Sequence, residues 1–244
     1  MGQSTVDRLK REKEFHNETF SSDTRKAAKK YYQSANVSKK FYKERVLTDV
    51  KGKHVLEYGC GPGSAAFDVA KVGGDVHAID ISDVAIEQAL DKAKSEDVSI
   101  KASVMDAENL SFDNDSFDLV CGSGILHHLD LERSYKEIQR VLKPNGRAVF
   151  FEPLGHNPII NVYRHLTPSM RTDDEHPLLM SDLELAKNYF EEVKTKHFNL
   201  TATAASFVPA LSTMLNRTDE VLFKALPFLK KHSWIVVIEF LNPR

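Results

Sequence analysis

A chain of 244 residues, 41 % apolar and nearly neutral with 33 basic against 35 acidic residues, can bury one substantial core and needs no second domain. No apolar run approaches the length of a membrane span, and the amino terminus lacks the charged start, apolar centre and small-residue cleavage site of a secretory leader, so a cytoplasmic protein without stable membrane insertion is expected. Cys60 and Cys121 have no zinc-type spacing and read as reduced packing residues, and no metal site is expected.

Charge is uneven along the chain. Residues 1–45 hold twelve Lys or Arg against six Asp or Glu, an excess that can serve nucleic acid or an anionic surface. Ala27, Ala28, Tyr31, Tyr32, Phe41, Tyr42 and Val46 nevertheless recur at near-helical spacing among the lysines. That is the pattern of helices with one packed and one solvated face, and no nucleic-acid partner is expected.

The most informative stretch is His54 to Ser64, HVLEYGCGPGS. A short apolar run ends in Glu57 and turns through Gly59, Gly61 and Gly63 into a helix-like segment from Ser64 to Val72. Glycines at alternate positions let the backbone approach a ligand, and the helix start offers free amide donors. A dinucleotide fingerprint would need a third glycine where Ser64 stands, and Glu57 is a poor neighbour for a pyrophosphate. It suits an ammonium group, or a water bridging to one.

The acidic positions continue at strand ends. Asp75 to Ile79 reads as a second buried strand closed by Asp80, followed by Ile81; Val98 to Val104 alternates like a third, with Asp106 and Ala107 behind it; Phe117 to Gly122 reads as a fourth and runs into SGILHHL. A carboxylate at the end of the second strand can accept both hydroxyls of a ribose. The series from Glu57 through Asp80 and Asp106 to Leu129 resembles the class I S-adenosylmethionine-dependent methyltransferases over roughly the first two thirds of the chain, and more loosely their quinone-biosynthesis and natural-product branch.

The resemblance implies an α/β Rossmann-like fold: a seven-stranded, mostly parallel sheet with helices on both faces and an antiparallel last strand. It implies S-adenosylmethionine as cofactor and S-adenosylhomocysteine as product. The cofactor residues it implies are Glu57, Gly59, Gly61, Gly63, Asp80, Ile81, Asp106, Ala107 and Gly122, with Tyr32 closing from an amino-terminal lid. The expected domain is single: a helical lid over 1–50, a cofactor-binding core over 51–152, substrate caps over 153–190 and 205–230, and final strands within 191–204 and 231–244.

Further along, Leu131, Tyr135, Ile138 and Leu142 share a helix face that Lys143-Pro144-Asn145-Gly146 ends with a turn. Arg147 to Glu152 reads as a fifth strand, and Val193 to Asn199 and Ser233 to Phe240 as the last two. Pro153 to Met180 is long, proline-rich and dense in titratable groups, as functional loops are. Leu211 to Leu229 reads as an apolar helix, either roofing the same pocket or plain core.

S-adenosylmethionine brings its own leaving group, so the protein mainly aligns a nucleophile, excludes water and removes a proton. A histidine near neutrality is the usual base. His156 and His176 are the candidate bases and Glu152 a candidate to orient a histidine or bind the acceptor, while His128 reads as a packing or hydrogen-bonding residue. The expected function is methyl transfer to a small organic acceptor, O-methylation first, with C-methylation of a quinone, enolate or alkene, or a non-catalytic S-adenosylmethionine-binding protein, as alternatives. The sequence leaves a homo-oligomer open.

Overall fold

Apolar side chains that alternate between the two faces of one sheet organise the chain. The computed structural model describes residues 3–21, 35–63, 65–167, 175–206 and 209–244; Tyr31, Tyr32, Ser64, Arg171, Asp173 and Asp174 lie outside the described residues. The described elements are α1 (Gln3–Ser21), α2 (Asn36–Leu47), β1 (His54–Tyr58), α3 (Ala65–Lys71), β2 (Asp75–Asp80), α4 (Asp83–Ser95), β3 (Lys101–Val104) and β4 (Phe117–Ser123). After a short 3₁₀ turn (Leu126–His128) come α5 (Leu131–Val141), β5 (Leu142–Pro153), α6 (Pro158–Leu166), α7 (Met180–Ala186), β6 (Phe190–Phe198), α8 (Ser212–Ala225) and β7 (Ile235–Pro243).

The strands lie in the order β3-β2-β1-β4-β5-β7-β6, and β7 alone runs antiparallel to its neighbours. This is the Rossmann-like architecture expected. Period-two alternation divides the core into two layers. Leu56, Tyr58, Val120, Ala148 and Phe150 point to the face covered by Tyr135 and Ile138 of α5. Val55, Leu119, Cys121, Val149 and Phe151 point to the face covered by Tyr42 and Val46 of α2 and Ala66 and Val69 of α3. Each layer removes apolar side chains from water at roughly 25 cal/mol per Å², so α2 is built into the core.

The chain runs outward from β1 through β2 to β3, then returns to place β4 on the other side of β1. Connections therefore diverge at the carboxyl ends of β1 and β4, which is where such sheets open a crevice.

Several expected boundaries shift for physical reasons. Leu142 does not end a helix; fully buried, it opens β5 and pairs with Phe117, with a register irregularity before Leu119. The amide of Val98 closes the end of α4 on the carbonyl of Ala93 at 2.9 Å, so β3 begins only at Lys101. Phe190, fully buried, starts β6 earlier than expected. Cys60 and Cys121 are buried free thiols, and burial raises the pKa of each.

Candidate functional site

Glu57, at the end of β1, is fully buried, and its two carboxylate oxygens accept the amides of Ala65 and Ala66, each at 2.8 Å. The carboxylate thus satisfies amide donors at the start of α3 and complements the positive end of its dipole. Glu57, expected among the cofactor residues, does not itself border the cavity that the loop creates; both of its oxygens are held by the start of α3. It acts on the cavity by fixing the loop between them.

That loop is held in left-handed backbone at Gly59, Gly61 and Gly63, with φ of +60°, +52° and +95°. Gly63 is the most constrained, since a Cβ there would stand 1.8 Å from Cε2 of Phe67. With no side chains of their own, the three glycines expose the peptide backbone to the cavity wall.

Asp80 closes β2. Its Oδ2 accepts the amide of Gly61 at 2.8 Å and its Oδ1 that of Ser82 at 2.9 Å. A carboxylate offers about four lone-pair sites, so Asp80 anchors the glycine loop and retains capacity toward the cavity that it lines together with Ile81. In the loop after β3, Asp106 Oδ1 accepts the amide of Glu108 at 2.9 Å, while its Oδ2 is buried with no hydrogen-bond partner among the described residues. Asp106 and Ala107 both line the cavity. A buried acceptor left unsatisfied is costly, and a ligand amine would satisfy it.

These strand-end residues form one side of a cavity of about 310 Å³, within the range of small-ligand sites. Helix α1 forms the opposite side through Arg8, Leu9, Glu12, His16 and Phe20, residues the sequence reading missed. Arg8 ties α1 down, pairing with buried Glu108 and donating to the carbonyl of His128 at 2.9 Å. Farther along, Asn17 accepts from Ser82 Oγ at 2.6 Å and donates to Asp83 at 2.8 Å, and Gln88 donates to the carbonyl of Phe20 at 3.1 Å. The i, i+4 spacing of Glu12 and His16 was the available signal, since on a helix it places both on one face.

The loop after β4 completes the enclosure with Ser123, Gly124, Ile125, His128 and Leu129. Gly122, expected among the cofactor residues, is buried one residue before that wall, and a Cβ on it would lie 2.8 Å from both Ile125 and Phe150. Fully buried Glu152 holds the same loop from behind. It accepts the amides of Ile125 and Leu126 at 3.0 and 2.9 Å and contacts Nδ1 of His127 at 2.7 Å. Glu152 is not on the cavity wall; of the two roles expected for it, orienting a histidine is the one its contact with His127 fits.

The two expected bases are also elsewhere. His156 Nε2 accepts the amide of Met180 at 3.3 Å, and exposed His176 donates its backbone amide to the carbonyl of His127 at 3.1 Å. Neither borders the cavity: His156 holds the start of α7, and His176 lies against the backbone of the loop that carries His127. Helix α8 is not the roof either. It packs on the Thr201–Ser206 turn, where buried Asp219 accepts the amides of Leu200 and Thr201 at 2.9 and 2.8 Å.

The histidines of the loop differ in charge preference. Burial and the neighbouring His128 lower the pKa of His127 despite Glu152. Burial would also lower that of His128, but Glu12, Glu175 and Glu152 more than offset it, and its pKa is raised.

Residues 56–150 match the family described as "Methyltransferase domain". The ubiquinone biosynthesis O-methyltransferase of Coxiella burnetii is 34 % identical over 117 residues, 48 % of this chain and 49 % of the relative. The demethylmenaquinone methyltransferase of Staphylococcus aureus is 33 % identical over 150 residues, 57 % of this chain and 61 % of the relative. The chain spans about half the length of the first of these. Among solved structures, phosphoethanolamine N-methyltransferase 2 of Haemonchus contortus, in complex with phosphomonomethylethanolamine and S-adenosylhomocysteine, superposes with a TM-score of 0.69 at 17 % identity, over 95 % of this chain and 60 % of that one. No described helix is long and apolar enough to cross a membrane.

Proposed function

Because residues 56–150 match the methyltransferase-domain family, we propose that the chain is a class I S-adenosylmethionine-dependent methyltransferase that methylates an oxygen of a small organic acceptor. When bound, S-adenosylmethionine supplies a methyl group on a positively charged sulfur, so the residues must hold an acceptor oxygen in line, exclude water and draw off one proton. The glycine loop, Asp80, Ile81, Asp106 and Ala107 are the residues proposed to hold the cofactor. The unsatisfied Oδ2 of Asp106 and the side-chain-free backbone at Gly59 to Gly63 fit an adenosyl ligand that carries amine donors.

The observation that carries oxygen over carbon is the polar face of α1 across the cavity. Arg8, Glu12 and His16, with His128 opposite, line it, and a wall of that kind suits an acceptor with an ionisable oxygen. Leu9, Phe20, Ile125 and Leu129 form its apolar remainder, which suits a ring and helps keep water out. Arg8, Asn17 and Gln88 keep α1 seated, so the acceptor lies between two fixed walls.

The test is to supply methyl-labelled S-adenosylmethionine with a fractionated cell extract. Label in a small molecule, shown by mass spectrometry to be an O-methyl group, is the expected result. A C-methyl product favours the alternative, and label confined to protein or nucleic acid overturns the acceptor class.

A further inference from the structure

The α1 side of the cavity gathers more ligating chemistry than holding an organic acceptor requires. Glu12 and His16 are one helical turn apart, and Glu12 Oε2 lies 3.4 Å from His16 Nε2 and 3.3 Å from Nδ1 of His128. The three donor atoms lie within 4.8 Å of one another. Their side chains are 5 %, 16 % and 11 % exposed, and all three residues line the cavity.

These distances have a physical reading. Zinc–nitrogen and zinc–oxygen bonds of about 2.0–2.1 Å in a tetrahedron put neighbouring ligand atoms roughly 3.3 Å apart. Both contacts of Glu12 match that edge, and the His16 and His128 rings lie edge to face beside it with centroids 5.1 Å apart. His16 Nδ1, the ring nitrogen turned from Glu12, is buried with no hydrogen-bond partner among the described residues, and the ring stacks on Phe20 with centroids 5.7 Å apart. A second group, His127, His128 and Glu175, is less suited. Glu152 already holds Nδ1 of His127, and Arg164 pairs with Glu175 at 2.9 Å.

We propose that Glu12, His16 and His128 form a site for one divalent transition-metal ion of the zinc or iron(II) class, with its open positions toward the cavity. Two imidazoles and one carboxylate suit such ions and disfavour magnesium or calcium, which take oxygen ligands. An acceptor oxygen bound there would ionise more readily, because a bound cation stabilises the anion. That consequence rests on the methyl-acceptor reading of the cavity; metal binding itself does not.

Equilibrium dialysis of the full chain against cobalt(II), with S-adenosylhomocysteine present, tests it, and visible ligand-field absorption gives a second readout. One cobalt per chain is expected, weakened by about tenfold or more in Glu12→Gln and in His16→Ala and kept in His165→Ala, which alters an exposed histidine outside the cavity. Absence of binding, or binding that survives Glu12→Gln and His16→Ala, overturns the site and leaves His128 and Glu12 as a simple ion pair. Affinity for S-adenosylhomocysteine is measured in the same samples, so failure of the cofactor site is seen separately from failure of the metal site. A thermal melt of each variant excludes unfolding as the cause of lost cobalt.

Discussion

The two walls of the cavity are built on different plans. The strand-end wall is made of loops whose backbone amides are tied to the carboxylates of Glu57 and Asp80 at the ends of β1 and β2 and of Asp106 in the loop after β3. The α1 wall is a single helix attached by side chains to loops far along the chain, Arg8 to Glu108 and His128, and Asn17 to Ser82 and Asp83. One wall forms with the fold and the other docks onto it. The proposed roles divide in the same way, with the sheet wall holding the cofactor and α1 facing the acceptor.

Gly63→Ala should break the sheet wall most severely. The left-handed φ of +95° and the 1.8 Å approach to Phe67 combine backbone strain with overpacking, for a loss of about 2–5 kcal/mol. Thermal melts should show it together with lost affinity for S-adenosylhomocysteine. Gly52→Ala is the control. Gly52 also has positive φ, +72°, but nothing lies within 4 Å of an added Cβ, so about 1 kcal/mol and unchanged affinity are expected. Equal effects at the two positions would refute the cradle.

Glu57→Gln and Asp106→Asn separate holding the loop from holding the ligand. Glu57→Gln removes the charge at the start of α3 and one of two acceptor oxygens, for a stability loss of about 1.5–3 kcal/mol in denaturant titration. Asp106→Asn should leave the melt nearly unchanged and weaken S-adenosylhomocysteine binding by about 1.5 kcal/mol, roughly tenfold by calorimetry. If Asp106→Asn destabilises the apoprotein while sparing affinity, Asp106 belongs with Glu57 and the ligand reading of its Oδ2 fails.

The same contrast accounts for what could be read from the sequence. The strand-end wall was legible because strand, turn and acidic residue are neighbours along the chain: Glu57 with the glycines, Asp80 closing β2 and Asp106 behind β3. Even there, spacing does not say which side of a loop faces outward: Gly122 is packed against Ile125 and Phe150, and Glu57 is held by the start of α3. The α1 wall depends on contacts between residues 8 and 128, or 12 and 128, which no local pattern encodes. The density of histidines after β5 points instead to His156 and His176, but His156 is engaged by Met180 and neither borders the cavity. Leu142 shows the same limit, because helical spacing continued one residue past the point where pairing with Phe117 took over.

The smallest expected effect tests how α1 is docked. His128 is faced by Glu12 and His16 from α1, by Arg8 on its carbonyl, and by His127, Glu152 and Glu175 from the loops behind it. Its folded pKa is raised above the ordinary value of about 6.5. The stability this contributes is therefore fully present below the unfolded pKa and is lost as pH rises through the folded one. His127 has the opposite sign: its folded pKa is lowered, so protonating it at acid pH favours the unfolded chain and masks the effect in a global melt. A local probe distinguishes them. With chelator present and exchange rates corrected for intrinsic pH dependence, amide protection in α1 relative to β4 should fall as pH rises past neutrality, and Glu12→Gln should flatten that dependence. Protection of α1 that is independent of pH in the wild-type chain would mean that Arg8, Asn17 and Gln88 dock the helix without help from the Glu12–His128 pair.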